Sequence, residues 1–318
     1  MKVVITARNF SNVNQDAINI LLSQGYEVEE NKNLELGVGA NEDILYEIIK
    51  DADAVIAGLE PYQESLLNRC PRLQLISRRG IGYDSVDIAA CAERGITVAR
   101  TSGEVEGAVA EQVIAYILYF ARHVEQQSAQ MHEGLWQRTM QLGAKNRTLG
   151  LVGFGGIGKE IAKRAKALGM NVVYYCRHPK MEWEQEYHAT YLDLDAVLQV
   201  SDFVSVNVPL TPDTEGMFGV EEFRKMKEKS YFINIARSPI MDVHALKEAI
   251  ECGHLAGAAV DVYPKEPCTD SELIGVEHVL LTPHTAPYTE ENFLQMNKVA
   301  AQNVCDYFHG CLKEKNRI

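Results

Sequence analysis

Three things are scarce in this chain, and each scarcity excludes a class of protein. Basic charge is scarce: 31 Lys and Arg stand against 44 Asp and Glu, a formal net charge of −13. So acidic a chain has no electrostatic footprint for nucleic acid and is repelled by anionic membrane surfaces. It also repels anionic substrates at long range, so a site for one has to be locally basic. Long apolar runs are scarce. The longest, residues 113–121, is too short to span a bilayer. The apolar start, residues 1–6, has no long apolar core or cleavage site and reads as a first strand rather than a signal peptide. Paired cysteines are missing. Cys70, Cys91, Cys176, Cys252, Cys268, Cys305 and Cys311 are odd in number and show neither C-x-x-C nor zinc spacing. They read as free thiols in a reducing cytoplasm.

What is present fits a globular protein of about two domains. The chain has 318 residues, 46% hydrophobic and 24% charged, an ordinary balance. Short β-branched runs at 3–6, 54–57 and 73–77 alternate with helical patterns at 16–23, 44–49 and 88–93. A long helix is expected over 105–125, followed by a polar loop or arm over 131–147. A second series starts at Thr148, with strands expected at 149–152, 171–175, 203–206, 231–235, 256–260 and 278–281. A last helix is expected over about 290–308, and pattern alone does not say where it packs. Alternating βα units imply parallel sheets covered on both faces.

One motif carries chemistry by itself. Gly153-Phe154-Gly155-Gly156-Ile157-Gly158 matches G-x-G-x-x-G, follows an apolar strand and opens a helix. That context makes it a dinucleotide fingerprint. The glycines permit a tight turn, a close approach to pyrophosphate and close helix–strand packing, and the helix N-terminus offers unpaired N–H groups to the phosphates. For NAD, the next strand should end in Asp or Glu to bond the ribose 2′-OH. Here Cys176 stands in that place, followed by Arg177-His178-Pro179-Lys180. Arg177 can contact a 2′-phosphate, so NADP is expected over NAD, with NAD still possible.

Three further segments stand at expected strand ends. They are Ile235-Ala236-Arg237-Ser238, Asp261 through Tyr263-Pro264-Lys265-Glu266, and Thr282-Pro283-His284. Arg can grip a carboxylate bidentately and polarise a keto oxygen. His can move a proton near neutral pH, and a neighbouring carboxylate favours its charged form. Arg237, Glu266 and His284 in this order after the fingerprint form the candidate catalytic set.

With these residues in view, the chain resembles the D-isomer-specific 2-hydroxyacid dehydrogenase family, in its phosphoglycerate dehydrogenase-like branch. The resemblance covers nearly the whole chain and is strongest over 79–111 and 148–286. It implies two doubly wound parallel-sheet (Rossmann-like) domains. Residues 1–100 would form the substrate domain, completed by 287–318, and residues 101–286 would bind the dinucleotide. Arg237 would bind substrate, His284 would be the acid/base and Glu266 would support it. Gly80, Ile81 and Gly82, next to Arg79, would offer amides to the substrate carboxylate. Val208, Pro209 and Thr214 would lie along the nicotinamide half, with Ile235, Ala236 and Asp261, whose carboxylate would bond the nicotinamide carboxamide. Family members commonly form homodimers through the cofactor domain. Departures bear on the substrate: Ser238 replaces the usual Gly, Arg100 and Ser102 stand where Asn and Pro are common, Asn207 where His is, and Leu59-Glu60 where Arg-Ser is.

The resemblance thus implies hydride transfer between a nicotinamide cofactor and a small anionic 2-hydroxy or 2-keto acid, with neither nucleic acid nor membrane as partner. The other reading is a non-catalytic NAD(P) sensor, like the family's corepressor relatives. Arg79 and Arg100 are expected either to make the substrate pocket basic or to be absorbed in salt bridges.

Overall fold

The structure, a computed structural model, describes residues 1–12, 14–32, 37, 39–103, 105–179 and 181–318. It divides into two compact units. One comprises Met1–Val105, Lys265–Pro267 and Pro287–Ile318; the other comprises Glu106–Pro264 and Cys268–Ala286.

The first unit is built on β1 (Lys2–Ile5), β2 (Glu27–Glu30), β3 (Ala54–Ala57), β4 (Leu75–Arg78) and β5 (Thr97–Ala99). They form one parallel sheet in the order β2-β1-β3-β4-β5. All four residues of β3 are buried, as a parallel strand covered on both faces requires. The strand expected over 73–77 starts at Leu75 and runs to Arg78. The last helix, Glu290–Phe308, is capped by Thr289 and packs on the helix Asp16–Ser23 and on β4. Buried polar side chains fix its place. Asn297 Nδ2 donates to the Phe10 carbonyl at 2.8 Å, and the Ser77 hydroxyl donates to the Ala300 carbonyl at 2.9 Å. Such bonds are costly to leave unmade in a core.

The second unit holds β6 (Thr148–Val152), β7 (Asn171–Tyr175), β8 (Ala189–Tyr191), β9 (Phe203–Val206), β10 (Tyr231–Asn234), β11 (Gly257–Val260) and β12 (Val279–Leu281). This parallel sheet runs β12-β11-β10-β9-β6-β7-β8. Both expected doubly wound sheets are therefore present. The helix expected over 105–125 is instead two, Glu106–Arg122 and Val124–His132, because His123 between them is left-handed at φ 44°. A residue in that region cannot continue a right-handed helix. Strands β2 and β8 had no apolar run to announce them. They are edge strands with few buried residues, and β2 reads Glu-Val-Glu-Glu.

Candidate active site

In the second unit β6 and β9 are neighbours, although the chain visits β7 and β8 between them. The winding reverses there, and sheets of this kind bind ligands outside the strand ends at that point. The Gly153 amide donates to the Tyr175 carbonyl at 2.8 Å, and the Asn207 amide to the Val152 carbonyl at 2.7 Å. Three of the loop's glycines answer to internal packing. A Cβ on Gly153, which has φ +102°, would lie 2.7 Å from the Asn207 backbone, and one on Gly158 would lie 2.5 Å from the Gly153 carbonyl. A Cβ on Gly156 would meet the Glu106 side chain at 2.8 Å. At Gly155 nothing lies within 4 Å. That opening adjoins the N-terminus of the helix Gly156–Ala167, which includes Ile157 and whose first amides lack intrahelical partners. The residues present therefore fit a dinucleotide pyrophosphate.

Cys176 follows β7 beside this loop, half-buried, its thiol pushed up by burial. Arg177 is exposed and pairs with Asp213 at 3.8 Å. Lys180 lies outside the described residues. After β9, Val208 packs toward Gly153. The Thr214 hydroxyl donates to the Pro209 carbonyl at 2.7 Å and accepts from the Thr211 amide at 2.8 Å, which closes the loop on itself.

Three adjacent strand ends carry the remaining groups. After β10, Asn234 brackets the turn: its Oδ1 accepts from the Ala236 amide and its Nδ2 donates to the Arg237 carbonyl, both at 3.0 Å. Ile235 and Ala236 are buried, and the Arg237 guanidinium, half-buried, donates to the Ala236 carbonyl at 2.7 Å. After β11, Asp261 is buried and binds the loop that follows β12. Its Oδ1 accepts from the Thr282 hydroxyl at 2.6 Å and the Thr285 amide at 2.8 Å, and its Oδ2 accepts from the Ala286 amide at 2.9 Å. Burial pushes the Asp261 carboxyl above its ordinary value, and these donors, with His284, oppose the shift.

His284 stands within that loop at φ +54°. A left-handed non-glycine residue costs on the order of 1–3 kcal/mol and persists where its surroundings over-determine it. Here Asp261 grips the chain on both sides. The Tyr116 hydroxyl lies 2.5 Å from Thr282 Oγ1 and, since Thr282 donates onward to Asp261, supplies the proton of that bond. Burial, then the charge of Asp261, push Tyr116 up to about 12. The Tyr263 hydroxyl donates to the Thr282 carbonyl at 3.0 Å.

In the first unit Arg79, Gly80, Ile81 and Gly82 follow β4. The Gly80 amide donates to Thr101 Oγ1 at 3.0 Å, unlike the reading in which all three loop amides face a ligand. Arg78 Nε donates to the Gly82 carbonyl at 3.0 Å. Glu266 lies on Lys265–Pro267 and groups with this unit. The second unit thus brings together the glycine loop, Arg237, Asp261 and His284. Sequence reasoning missed Tyr116, Asn234 and Asp213, and named Tyr263 and Thr282 only as members of their segments, without a role. Thr282, two residues before His284, carried a signal; Tyr116, 166 residues from Thr282, carried none.

Residues 114–286 match the family described as D-isomer specific 2-hydroxyacid dehydrogenase, NAD binding domain. A glyoxylate reductase of Thermococcus litoralis is 36% identical over 277 residues, 84% of each chain. A D-3-phosphoglycerate dehydrogenase of Archaeoglobus fulgidus is 34% identical over 301 residues, 94% of this chain and 56% of that one. Among solved structures, the TT0316 protein of Thermus thermophilus has a TM-score of 0.89 at 32% identity and covers both chains fully. A glyoxylate reductase of Paecilomyes thermophila has a TM-score of 0.86 at 26% identity, covering 100% of this chain and 98% of that one.

Proposed function

Since the chain belongs to the D-isomer specific 2-hydroxyacid dehydrogenase family, and so is an oxidoreductase that works with a nicotinamide cofactor, we propose that it reduces small 2-keto acids to D-2-hydroxy acids in the cytoplasm, with NADPH preferred. The observation that carries this reading is the set of neighbouring strand ends. There Arg237 and a His284 held by Asp261 stand on the same sheet as the glycine loop.

The cofactor supplies or accepts the hydride. Gly153, Gly155, Gly156, Ile157 and Gly158 would hold its pyrophosphate, and Val208, Pro209, Thr214, Ile235 and Ala236 would flank its nicotinamide half. Arg237 binds the substrate carboxylate and polarises its keto oxygen. His284 donates the proton to that oxygen in reduction and takes it back in oxidation. Glu266 completes the catalytic set. Asp261 acts on the nicotinamide end and sets the backbone of His284. Ile81 and Gly82 offer amides to the substrate, while Gly80, bonded to Thr101, shapes the loop. Residues 1–100 with 287–318 serve the substrate, and residues 101–286 serve the cofactor.

The NADP preference rests on Cys176 and Arg177. Asp213 opposes it at 3.8 Å, but that pair is exposed, with 65% and 79% of the two side chains accessible, and is easily opened. A homodimer is the partner state. The arm after the helix Val124–His132 exposes Leu135, Trp136 and Met140, the last two at 74% and 101%, as an interface segment does.

Steady-state kinetics with glyoxylate, pyruvate and hydroxypyruvate, each with NADPH and NADH, tests the activity. No turnover with any pair would overturn it, and equal or better efficiency with NADH would overturn the cofactor preference. Sedimentation of Trp136→Glu tests the dimer; an unchanged dimer removes the arm from the interface.

A further inference from the structure

The first sheet has its own reversal of winding, since β1 lies between β2 and β3. Ligands of such sheets sit outside the strand ends at that reversal. A buried polar cluster stands there. The Thr6 hydroxyl is 2.9 Å from the Tyr62 hydroxyl and 3.4 Å from Glu60 Oε2, which accepts from the Gly58 amide at 2.7 Å. Arg78 is committed to holding backbone. Its Nη1 donates to the carbonyls of Ala57, at 3.2 Å, and Gly58, and its Nε to the carbonyl of Gly82.

Arg79 is arranged differently. Its Nη1 is sealed from solvent and has no hydrogen-bond partner. Its guanidinium lies 4.3 Å over the Phe293 ring, and among the described residues it makes no salt bridge. Arg100, just after the adjacent β5, repeats the pattern. Its Nε is buried without a partner, and its guanidinium lies 5.8 Å over the Tyr83 ring. The two ends are tied side by side, because the Thr101 amide donates to the Gly80 carbonyl at 3.1 Å and the Gly80 amide to Thr101 Oγ1. The hydroxyls of Ser85 and Ser102, at the edges of the same two segments, are also buried without partners.

Buried cationic donors are normally satisfied, and orphans mark a missing ion, water or ligand. A cation sitting on an aromatic face still lacks an acceptor for its N–H groups. Burial lowers the Arg79 guanidinium from its ordinary value, Tyr288 and Glu60 oppose that shift, and burial pushes the Glu60 carboxyl upward.

We propose that Arg79, with Arg100 beside it, is a specificity-determining residue that seats a second carboxylate, so that the preferred substrate is a 2-oxo dicarboxylate. This rests on the oxidoreductase reading above. The amides of Ile81 and Gly82, on the same loop, are already assigned to the keto-acid end, which leaves Arg79 without a role there. One guanidinium edge matches a planar carboxylate.

The test compares kcat/KM for oxaloacetate and pyruvate, which differ by that carboxylate, with 3-phosphohydroxypyruvate as a third arm. One charge-assisted bond predicts a preference for oxaloacetate on the order of 10- to 150-fold. Arg79→Gln should bring the ratio near one, and Arg79→Lys should restore part of it. In parallel, thermal stabilisation of the cofactor-free protein by oxaloacetate should exceed that by pyruvate and vanish in Arg79→Gln. Equal efficiency and equal stabilisation by the two acids overturn the proposal. So does a preference for the phosphorylated acid, and so does a ratio unmoved in both variants. Dicarboxylate stabilisation that depends on Arg79, without turnover of any keto acid, instead sinks the reductase reading and leaves the second-carboxylate seat standing.

Discussion

Asp261 accepts the Thr282 hydroxyl at 2.6 Å, joining the end of β11 to the loop after β12, within which His284 holds a left-handed backbone. The same carboxylate also takes the amides of Thr285 and Ala286. It therefore clamps the chain before and after His284, and the geometry of that ring depends on a residue far earlier in sequence.

Asp261→Ala is expected to lower kcat about 100-fold, since misplacement of a reacting group by about 1 Å costs that much. The fold should survive, and far-ultraviolet circular dichroism checks that. An Asp261→Ala enzyme with kcat close to that of the parent would show that the clamp does not set His284.

His284→Gln keeps size and polarity but cannot act as a neutral-pH acid. It is expected to lower kcat about 10²–10⁴-fold, while cofactor binding, read by quenching of protein fluorescence, stays near that of the parent. Arg237→Lys keeps the charge and loses the planar fork. A loss of roughly 1.5–3 kcal/mol should appear in kcat/KM. Parent-like values for either variant would remove that residue from the mechanism.

Asp213→Asn should raise kcat/KM for NADPH and leave NADH nearly unchanged, because it frees Arg177 and removes a charge that repels a 2′-phosphate. The pair is exposed, so the gain is at most about 1 kcal/mol, or roughly fivefold. Cys176→Asp with Arg177→Ala should move preference the other way, toward NADH. A ratio of the two efficiencies unmoved by either change would place the ribose end elsewhere.

Acid stability should depend on Asp53 and Asp202. Burial alone would raise both carboxyls. The Lys2 amide and Arg72 at Asp53, and Lys227, the Thr148 amide and Arg147 at Asp202, outweigh it and hold both below the ordinary 3.8. A folded value below the unfolded one means that the unfolded chain binds more protons as pH falls. The stabilisation is therefore present above 3.8 and is lost as pH drops through it toward the folded values. Asp53→Asn should cost about 1–3 kcal/mol at neutral pH, toward the lower end because Arg72 is half exposed. The gap from the parent should narrow as the pH falls below 3.8. Urea midpoints across that range measure it, and a gap independent of pH would contradict the assignment.

By itself the sequence determined what is local. Short β-branched runs placed most strands, apolar residues at helical spacing placed most helices, and the glycine spacing after a strand marked a phosphate cradle. The helix expected over about 290–308 is Glu290–Phe308 in the structure, because its pattern lies within one continuous stretch. Tertiary structure decided what depends on which strand ends become neighbours. It set the last helix against β4, opposed Arg177 with Asp213, supported Thr282 with Tyr116, and left Arg79 Nη1 and Arg100 Nε without acceptors among the described residues. Residue type states what a side chain can do. The partners that turn it into a clamp or a switch of cofactor come from strand order, which connects positions too far apart for any local pattern to pair.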